Sequence, residues 1–386
     1  MLEDLANIPA HNHERKKAAP KESWRPHLDI DPDTGGYFVS SPRTPEESPD
    51  HAELLAEFDL NPDGWRVLNV RRSKWQSFNG EWLEAFRVNI APQGAQSFGV
   101  DASELEKEIA KWRPPKNVKP VTGNLTAIFA SGDTQWGKDA GDGSEGTVRR
   151  VRQGITESVE RFKEIKGRGI GQIALPQLGD CIEGTVSQGG KIVGRLDLPI
   201  TAQIRVGRRI LLEWVKAFAP YTEDLIIPVV PGNHDEPHRT VLTDPMDSWQ
   251  VEIVQQVLDI CAMSDDLQHV RGIFAERDNS TLTVNMSGTT VGMIHGHQSR
   301  DLPKWWSTQS LGRTPIGEAE VLLSAHYHHY RANQVGPNLW VQIPAMDGGS
   351  PWFRDRVGLD SPPGIVAMVV GEGYDPRRDL TVLAGR

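Results

Sequence analysis

The sequence predicts an α/β fold for the larger part of the chain, on three observations. From about residue 125 onward, apolar runs of strand length alternate with longer runs of helical spacing. Beyond residue 263 short β-type runs follow one another, and polar residues come directly after several of the strands. Because ligands of α/β domains bind beyond the carboxyl ends of the strands, we expect the functional residues in those polar segments.

The predicted elements of this part follow one another in a regular order. Its first helix is marked by Val148, Val151 and Ile155, which share one helical face. The alternating strands and helices are predicted at 125–130, 147–166, 173–178, 202–218, 225–230 and 245–263. Five shorter strands are predicted at 282–286, 290–294, 321–324, 339–343 and 365–370. This order favours a layered domain in which helices cover a sheet.

The sequence divides into three predicted regions. Residues 1–50 are rich in Pro, Asp, Glu, Ser and Lys and lack apolar periodicity, so we expect a polar, disordered arm. Residues 51–120 are predicted to form a small basic and aromatic module, and residues 121–386 the larger domain. The module contains β-like runs on either side of Asn79-Gly80, a dipeptide typical of hairpin turns, and a predicted helix at 101–112.

Charge and cysteine content exclude several classes of protein. The 42 Lys and Arg against 52 Asp and Glu give a net charge of -10, which excludes a uniformly basic nucleic-acid coat but allows a local basic patch. Two cysteines, Cys181 and Cys261, are too few for a disulfide framework and indicate a reducing compartment. No run approaches the ~18 apolar residues of a membrane helix. We therefore expect a soluble, cytoplasmic protein with no membrane partner.

The small module carries the opposite charge to the rest of the chain. Between residues 66 and 119 there are ten Lys and Arg against six Asp and Glu. Arg71, Arg72 and Lys74 stand next to Trp75, an arrangement that suits phosphate contacts combined with base stacking. These four residues are the candidate nucleic-acid-binding residues, with DNA as the expected partner. A solvated hairpin edge protected by charge is the alternative interpretation.

Polar motifs follow five of the predicted strands. Carboxylate and amide oxygens together with several imidazoles suit Mn²⁺, Fe or Zn²⁺ better than Ca²⁺, and one shared carboxylate can hold two ions roughly 3.5 to 4 Å apart. The motifs are Asp-Thr-Gln at 133–135, Gly-Asp-Cys-Ile-Glu at 179–183, Gly-Asn-His-Asp at 232–235, His-Gly-His at 295–297 and Ala-His-Tyr-His at 325–328.

This series resembles the motifs of the calcineurin-like metallophosphoesterase superfamily, over about residues 125–343. The resemblance implies a four-layer α/β/β/α sandwich, to which the small module is an N-terminal, hairpin-containing appendage. It also implies a dinuclear metal centre and a proton-donating His234 with Asp235 as its orienting partner. The implied ligands are Asp133 and His328 for the first ion, Asp180 for both, and Asn233, His295 and His326 for the second.

The chain departs from the family pattern at two positions. Gln135 stands where the family has His, and Ala325 where it has Gly. The amide oxygen of Gln135 is a weaker and harder donor than imidazole, so we expect two divalent ions with Mn²⁺ favoured, and Fe, Zn²⁺ or Mg²⁺ as alternatives. Glu183 is expected beside the ligands rather than among them.

Trp305-Trp306 lies between the last two motifs and is predicted either to stack on bases or to anchor a long loop. His297 and His329 are expected to contact substrate or a ligand rather than the metal. Cys181 is expected to pack in the interior.

The resemblance implies a metal-dependent phosphoesterase, and the basic module favours a phosphodiesterase or nuclease acting on nucleic acid. The Gly-Asn-His-Asp motif and the appendage resemble SbcD-type nucleases, which would suit a phage or bacterial DNA-processing protein. Two alternatives stay open at this point. One is a phosphatase or cyclic-nucleotide phosphodiesterase with a small substrate, and the other is a metal-binding scaffold without turnover, which the Gln135 departure permits.

Overall fold

The computed structural model divides the chain into two compact units, Met1–Gln96 and Ser97–Arg386. The residues it describes are 27–31, 35–45, 49–77, 79–92, 118–186, 196–238, 243–349 and 361–384. The division falls before the boundary predicted at residue 120. The predicted helix at 101–112 lies outside the described residues.

The first unit contains a four-stranded antiparallel sheet in the order β1-β2-β4-β3. Its strands are β1 His27–Asp31, β2 Gly35–Val39, β3 Trp65–Gln76 and β4 Trp82–Pro92. The predicted hairpin corresponds to β3 and β4, which extend further than the sequence runs indicate. Gly80 has a φ of 89° in the connecting turn, a conformation that favours glycine.

Strands β1 and β2 correct the prediction of a disordered arm for the described residues between 27 and 39, and residues 1–26 of that arm lie outside the described residues. Phe38 of β2 is fully buried and packs with Leu54, Phe86 and Val88. Leu54 belongs to helix α1, His51–Ala56, which begins with a capping box formed by Asp50 and Glu53. The arm prediction missed these strands because their apolar run is short and their core partners come from later segments of the chain.

The second unit contains two sheets. The larger has the order β15-β14-β5-β6-β7-β8, and the smaller has the order β12-β13-β11-β10-β9. The larger sheet consists of β5 Leu125–Ala130, β6 Ile170–Ala174, β7 Leu225–Val229, β8 Val270–Phe274, β14 Gly364–Val370 and β15 Thr381–Ala384. The smaller consists of β9 Thr281–Met286, β10 Thr289–Ile294, β11 Val321–Ser324, β12 Arg331–Val335 and β13 Asn338–Gln342.

Alternating side chains of β5 enter two different hydrophobic cores. Phe129 packs with helix residues Ile155 and Phe218, whereas Ile128 packs with Met293 of the smaller sheet. A strand buried on both faces reads as a continuous apolar run, as Leu125–Ala130 does. The helices of this unit are α2 Gly143–Ile165, α3 Ile200–Phe218, α4 Trp249–Ala262 and α5 Leu302–Leu311.

The mixed α/β class predicted for this unit is confirmed. Strands β5, β6, β7 and β8 run parallel, and so do β10 and β11, so that their carboxyl ends point toward the polar motifs. Strands β8, β12 and β15 were not predicted from the sequence. In the described part of the chain, no helix has the length and apolar character required to cross a membrane.

Candidate metal centre

Backbone hydrogen bonds join the motif loops to one another. The amide of Asp133 donates to the Gly179 carbonyl at 3.0 Å, and the amide of Gln135 donates to the Asp180 carbonyl at 3.0 Å. On the other sheet, the amide of Ala325 donates to the His295 carbonyl at 2.7 Å. The predicted convergence of the motifs at one edge of the sheets is therefore present, and the loops form one connected framework.

Five motif residues adopt a left-handed backbone conformation. Positive φ is uncommon in residues other than glycine, and it persists where the surrounding structure enforces it. The five are Asp133 (49°), Gln135 (42°), Asp180 (52°), His326 (70°) and His328 (57°). Their concentration in three loops indicates that packing imposes these side-chain directions.

Two glycines allow the Asp180 loop to approach its neighbours. A Cβ on Gly179 would lie 2.7 Å from the Gly232 backbone and 2.8 Å from His295 Nδ1. A Cβ on Gly232 would lie 2.1 Å from Asp180 Oδ1. These positions require glycine because backbone atoms and the side chains of Asp180 and His295 occupy the space that a Cβ would need.

Asp180, His295 and His326 lie close enough together to hold a metal ion. One potential ligand atom from each lies within 4.8 Å of the others, and the described residues contain no second cluster of three His, Cys, Asp or Glu side chains with this spacing. His295 Nε2 lies 3.1 Å from Asp180 Oδ2 and 3.2 Å from His326 Nδ1. The three potential ligand atoms are therefore close enough to one another to bind a single ion.

The orientation of His295 is set by the backbone. Its Nδ1 lies 2.7 Å from the Leu178 carbonyl, so Nδ1 carries the proton and Nε2 faces Asp180 and His326. Metal-binding histidines characteristically donate their other ring N–H to a carbonyl or carboxylate in this way. Burial and the neighbouring His295 lower the pKa of His326 to about 3, which leaves its imidazole neutral, as ligation requires.

Asn233 directly precedes His234, whose backbone amide holds the Asp180 side chain in place. Its Oδ1 is buried, and the amide of the next residue, His234, donates to Asp180 Oδ1 at 2.7 Å. Burial opposes the charged form of Asp180, but His295 and His234 outweigh it and hold the pKa of this carboxyl well below its ordinary value. The loop therefore presents Asp180 as a carboxylate.

The predicted first-metal residues Asp133 and His328 lie close together. Asp133 Oδ2 accepts from the His326 amide at 2.8 Å, and Asp133 Oδ1 lies 3.5 Å from His328 Nε2. His328 Nδ1 lies 3.4 Å from Asp347 Oδ2. The motif search missed Asp347, although its place shortly after strand β13 was a signal that could have found it.

Gln135, predicted as a ligand, contacts a lysine of its own loop. Its side chain is buried, and its Oε1 accepts from Lys138 Nζ at 2.7 Å. Lys138 also forms an ion pair with Asp347. Burial opposes a charge on Lys138, but Asp347 outweighs it and raises the pKa of the amine above its ordinary value. The amide oxygen that was expected to face a metal is therefore bonded to an ammonium.

His234 lies beside the ligand cluster and is oriented by Glu183. His234 Nε2 is 4.0 Å from Asp180 Oδ2, and His234 Nδ1 is 3.1 Å from the Glu183 carbonyl and 3.5 Å from its Oε2. Burial lowers the pKa of His234, but Asp180 and Glu183 outweigh it and raise the pKa to about 9. With this pKa the imidazole is cationic at neutral pH.

Asp235, predicted as the orienting partner of His234, holds two motif loops together. The fully buried Asp235 carboxylate accepts from the amides of Asp180 at 2.6 Å, Cys181 at 3.0 Å and Gly232 at 3.1 Å. It also accepts from Cys181 Sγ at 3.3 Å. Asp235 therefore joins the second and third motifs, and Glu183 takes the orienting position.

The other residues singled out in the sequence have different surroundings in the structure. Trp306 is buried and donates from Nε1 to the Ile316 carbonyl at 2.8 Å, which favours the loop-anchoring interpretation. Cys181 is buried, as expected. His297 is exposed, with its ring 5.5 Å from that of His295, at the rim of the centre. His329 Nδ1 lies 2.5 Å from the Tyr327 carbonyl, a local contact within its own loop.

The donor set fits a divalent transition metal. A carboxylate, two neutral-capable imidazoles and an adjacent amide side chain are the ligands that Mn²⁺, Fe and Zn²⁺ accept. The depressed pKa of His326 leaves a nitrogen lone pair for such an ion. Burial lowers the pKa of His295, but Asp180 outweighs it and raises the pKa to about 10, so an ion would displace the Nε2 proton of His295. Asp180, Asn233, His295 and His326 are accordingly the residues that would hold it.

Similar solved structures include phosphoesterases and Vps29 proteins. A predicted phosphoesterase from Streptococcus pneumoniae TIGR4 is 13% identical, with a TM-score of 0.28, over 68% of this chain and 90% of that one. An archaeal phosphodiesterase is 13% identical, with a TM-score of 0.30, over 67% and 99%. Vps29 from Entamoeba histolytica complexed with Zn²⁺ is 11% identical, with a TM-score of 0.28, over 67% and 99%.

No protein-family model matches the sequence, and no curated protein matches it. The chain is similar to calcineurin-like metallophosphoesterases in the order of its motifs and in the way five strand ends bring those motifs together. This similarity rests on the site residues described above rather than on the structural scores.

Proposed function

We propose that this chain is a metal-dependent phosphoesterase whose preferred substrate is a nucleic-acid phosphodiester. The observation that carries the proposal is the juxtaposition of the Asp180, His295 and His326 cluster with the imidazole of His234. A metal-ligand cluster beside a positioned acid is the equipment that phosphate-ester hydrolysis needs, because charge must be neutralised and a leaving oxygen protonated.

The residues of the chain divide this work. A divalent ion held by Asp180, Asn233, His295 and His326 would supply Lewis acidity and lower the pKa of bound water. His234 faces the same space and can donate a proton from Nε2 to the leaving oxygen, since its Nδ1 is fixed by Glu183. Glu183 acts through His234 and is a positioning residue. Asp235 keeps the two loops in register through the backbone.

The nucleic-acid preference rests on one face of the small sheet. Arg71 pairs with Arg87 across β3 and β4, and the Arg87 guanidinium lies 4.1 Å from the Tyr37 ring centroid. Trp75 lies on the same face of β3 as Arg71, because side chains two and four positions apart in a strand point the same way. This basic and aromatic face suits phosphate contacts and base stacking.

The other two candidates lie on the opposite face of β3. Arg72 pairs across the strands with Phe86, a core residue, and Lys74 pairs with Glu84. Arg72 Nε donates to Glu84 Oε2 at 2.8 Å, and Lys74 Nζ lies 5.4 Å from the Trp82 ring. The four-residue sequence cluster therefore divides into two pairs, of which Arg71 and Trp75 are the better candidates for a nucleic acid.

The test compares three substrates with one preparation of the full chain. We expect hydrolysis of bis(4-nitrophenyl) phosphate and of single-stranded DNA with Mn²⁺, and slower hydrolysis of the monoester 4-nitrophenyl phosphate. Faster monoester hydrolysis would favour a phosphatase. Metal binding without hydrolysis of any of the three would favour a scaffold and contradict the proposal.

A further inference from the structure

The Asp133 side of the centre contains a cation that belongs to the chain. Lys138 follows Gln135 by three residues, and its side chain is 17% exposed. Its backbone is fixed by the bond from its amide to the Gln135 carbonyl at 3.1 Å and by a bridge to Leu196. The ammonium is thus brought back over the first motif rather than directed into solvent.

This ammonium engages two oxygens near Asp133 and His328. It donates to Gln135 Oε1 at 2.7 Å and pairs with Asp347, whose side chain is 3% exposed. Asp347 in turn lies 3.4 Å from His328 Nδ1, and His328 Nε2 lies 3.5 Å from Asp133 Oδ1. The polar groups on this side therefore form a continuous chain of contacts, with Lys138 as its cation.

We propose that the ammonium of Lys138 replaces the first metal ion, so that this chain binds one divalent ion, at Asp180, His295 and His326. The inference rests on the proposed function in that both use the same ligand cluster. Two arguments support it, one from the ligands and one from charge.

The first argument concerns the ligands. Gln135 can offer only its amide oxygen to a metal, and that oxygen accepts a hydrogen bond from Lys138. The first-ion set then retains Asp133, His328 and the shared carboxylate of Asp180 from the prediction. Consistent with this, the only three-residue cluster in the described part of the chain is on the Asp180 side.

The second argument concerns electrostatics. A divalent ion bound to Gln135 Oε1 would share that oxygen with an ammonium in a largely buried site, where like charges repel strongly. Asp347 holds Lys138 in place, because loss of its paired lysine would destabilise this buried carboxylate. The fixed ammonium therefore excludes a second ion and supplies positive charge in its place.

The test measures metal stoichiometry rather than activity. The full chain is saturated with Mn²⁺, separated from free metal by gel filtration and analysed by mass spectrometry for manganese per chain. We expect one equivalent in the parent and in Lys138→Arg, which keeps the charge. We expect two in Lys138→Met, with a larger rise of Tm on Mn²⁺ addition, because Asp347 and Gln135 then become available to the ion.

A second variant protects the test against a folding defect in Lys138→Met. In Gln135→His/Lys138→Gln the new amide can donate to Asp347 while the imidazole of the family motif is restored, and we again expect two equivalents. Two equivalents in the parent, or one in this double variant, would overturn the inference and leave the proposed function standing. No bound manganese in the parent would overturn the proposed function as well.

Discussion

The two sides of the metal centre are built on the same connected loops but offer different chemistry. On one side Asp180, His295 and His326 converge with donor atoms facing one another. On the other side Asp133 and His328 are accompanied by a lysine, an amide and a further carboxylate.

This contrast shows that the effect of Gln135, which stands where the family has His, extends to other residues of the centre. An imidazole at position 135 would offer a nitrogen lone pair to a metal, whereas the amide oxygen of Gln135 accepts a hydrogen bond from Lys138. Lys138 then requires Asp347 as its counter-ion. The effect of Gln135 is therefore understood only together with a partner three residues away and another in a distant loop.

The largest expected effect comes from the Asp180 side. Asp180→Asn should abolish manganese binding and reduce hydrolysis of bis(4-nitrophenyl) phosphate by more than about 100-fold, because even indirect supports of a metal site cost 10 to 100-fold. The measurements are manganese content and kcat. Asp379→Asn is the matched control, a buried carboxylate paired with Arg161 and Arg168, and it should keep its manganese. An unchanged manganese content in Asp180→Asn would contradict the placement of the metal on the Asp180 side.

Removal of the acid should separate proton transfer from metal binding. His234→Ala should retain manganese and lose about 10² to 10⁴ in kcat, the range for a positioned acid. His269→Ala serves as the control. The imidazole of His269 is partly buried, and its Nε2 lies 3.1 Å from the Ala219 carbonyl. Loss of manganese in His234→Ala would place His234 among the ligands instead.

Glu183 and Asp235 should respond in different ways. Asp235→Asn puts an amide among backbone donors and should lower the free energy of unfolding by about 1–3 kcal/mol, as measured by urea denaturation. Glu183→Gln should change kcat more than it changes the free energy of unfolding, because its carboxylate faces the His234 ring. The reverse pattern would restore Asp235 as the orienting partner.

The smallest effects are expected on the small sheet. Arg71→Ser should change stability by less than about 0.5 kcal/mol and reduce the salt dependence of single-strand DNA binding by about 0.7 in slope, the value for one phosphate contact. Arg72→Ser should instead lower stability, because Glu84 is fully buried and paired with Arg72. Equal salt slopes for Arg71→Ser and the parent would reject this face as a DNA contact.

The elements that a local residue pattern marks were predictable from the sequence. Strand β5 was predicted at its observed bounds, Leu125–Ala130, because a continuous apolar run bounded by polar residues is a strong signal. The convergence of the motif loops was also predictable, since parallel strands end at one edge. Strand β2 was not, because its order depends on β4, which lies some fifty residues away.

The details of the centre depended on contacts that no motif records. Asp235 follows His234 directly, which favours an interaction between them, yet its carboxylate faces the amides of Asp180 and Gly232. Lys138 and Asp347 are separated by about two hundred residues, and neither belongs to a motif. Their ion pair became visible only once the fold had brought the loop after β5 next to the segment after β13.

The most direct test of the account is where manganese binds. Crystals of the full chain grown with Mn²⁺ should give one anomalous peak, within about 2.0–2.2 Å of an oxygen of Asp180 and close to the ring nitrogens of His295 and His326. The space between Asp133 and His328 should show none, with the Lys138 ammonium still bonded to Gln135. A second peak between Asp133 and His328, or the absence of a peak at Asp180, would contradict the account.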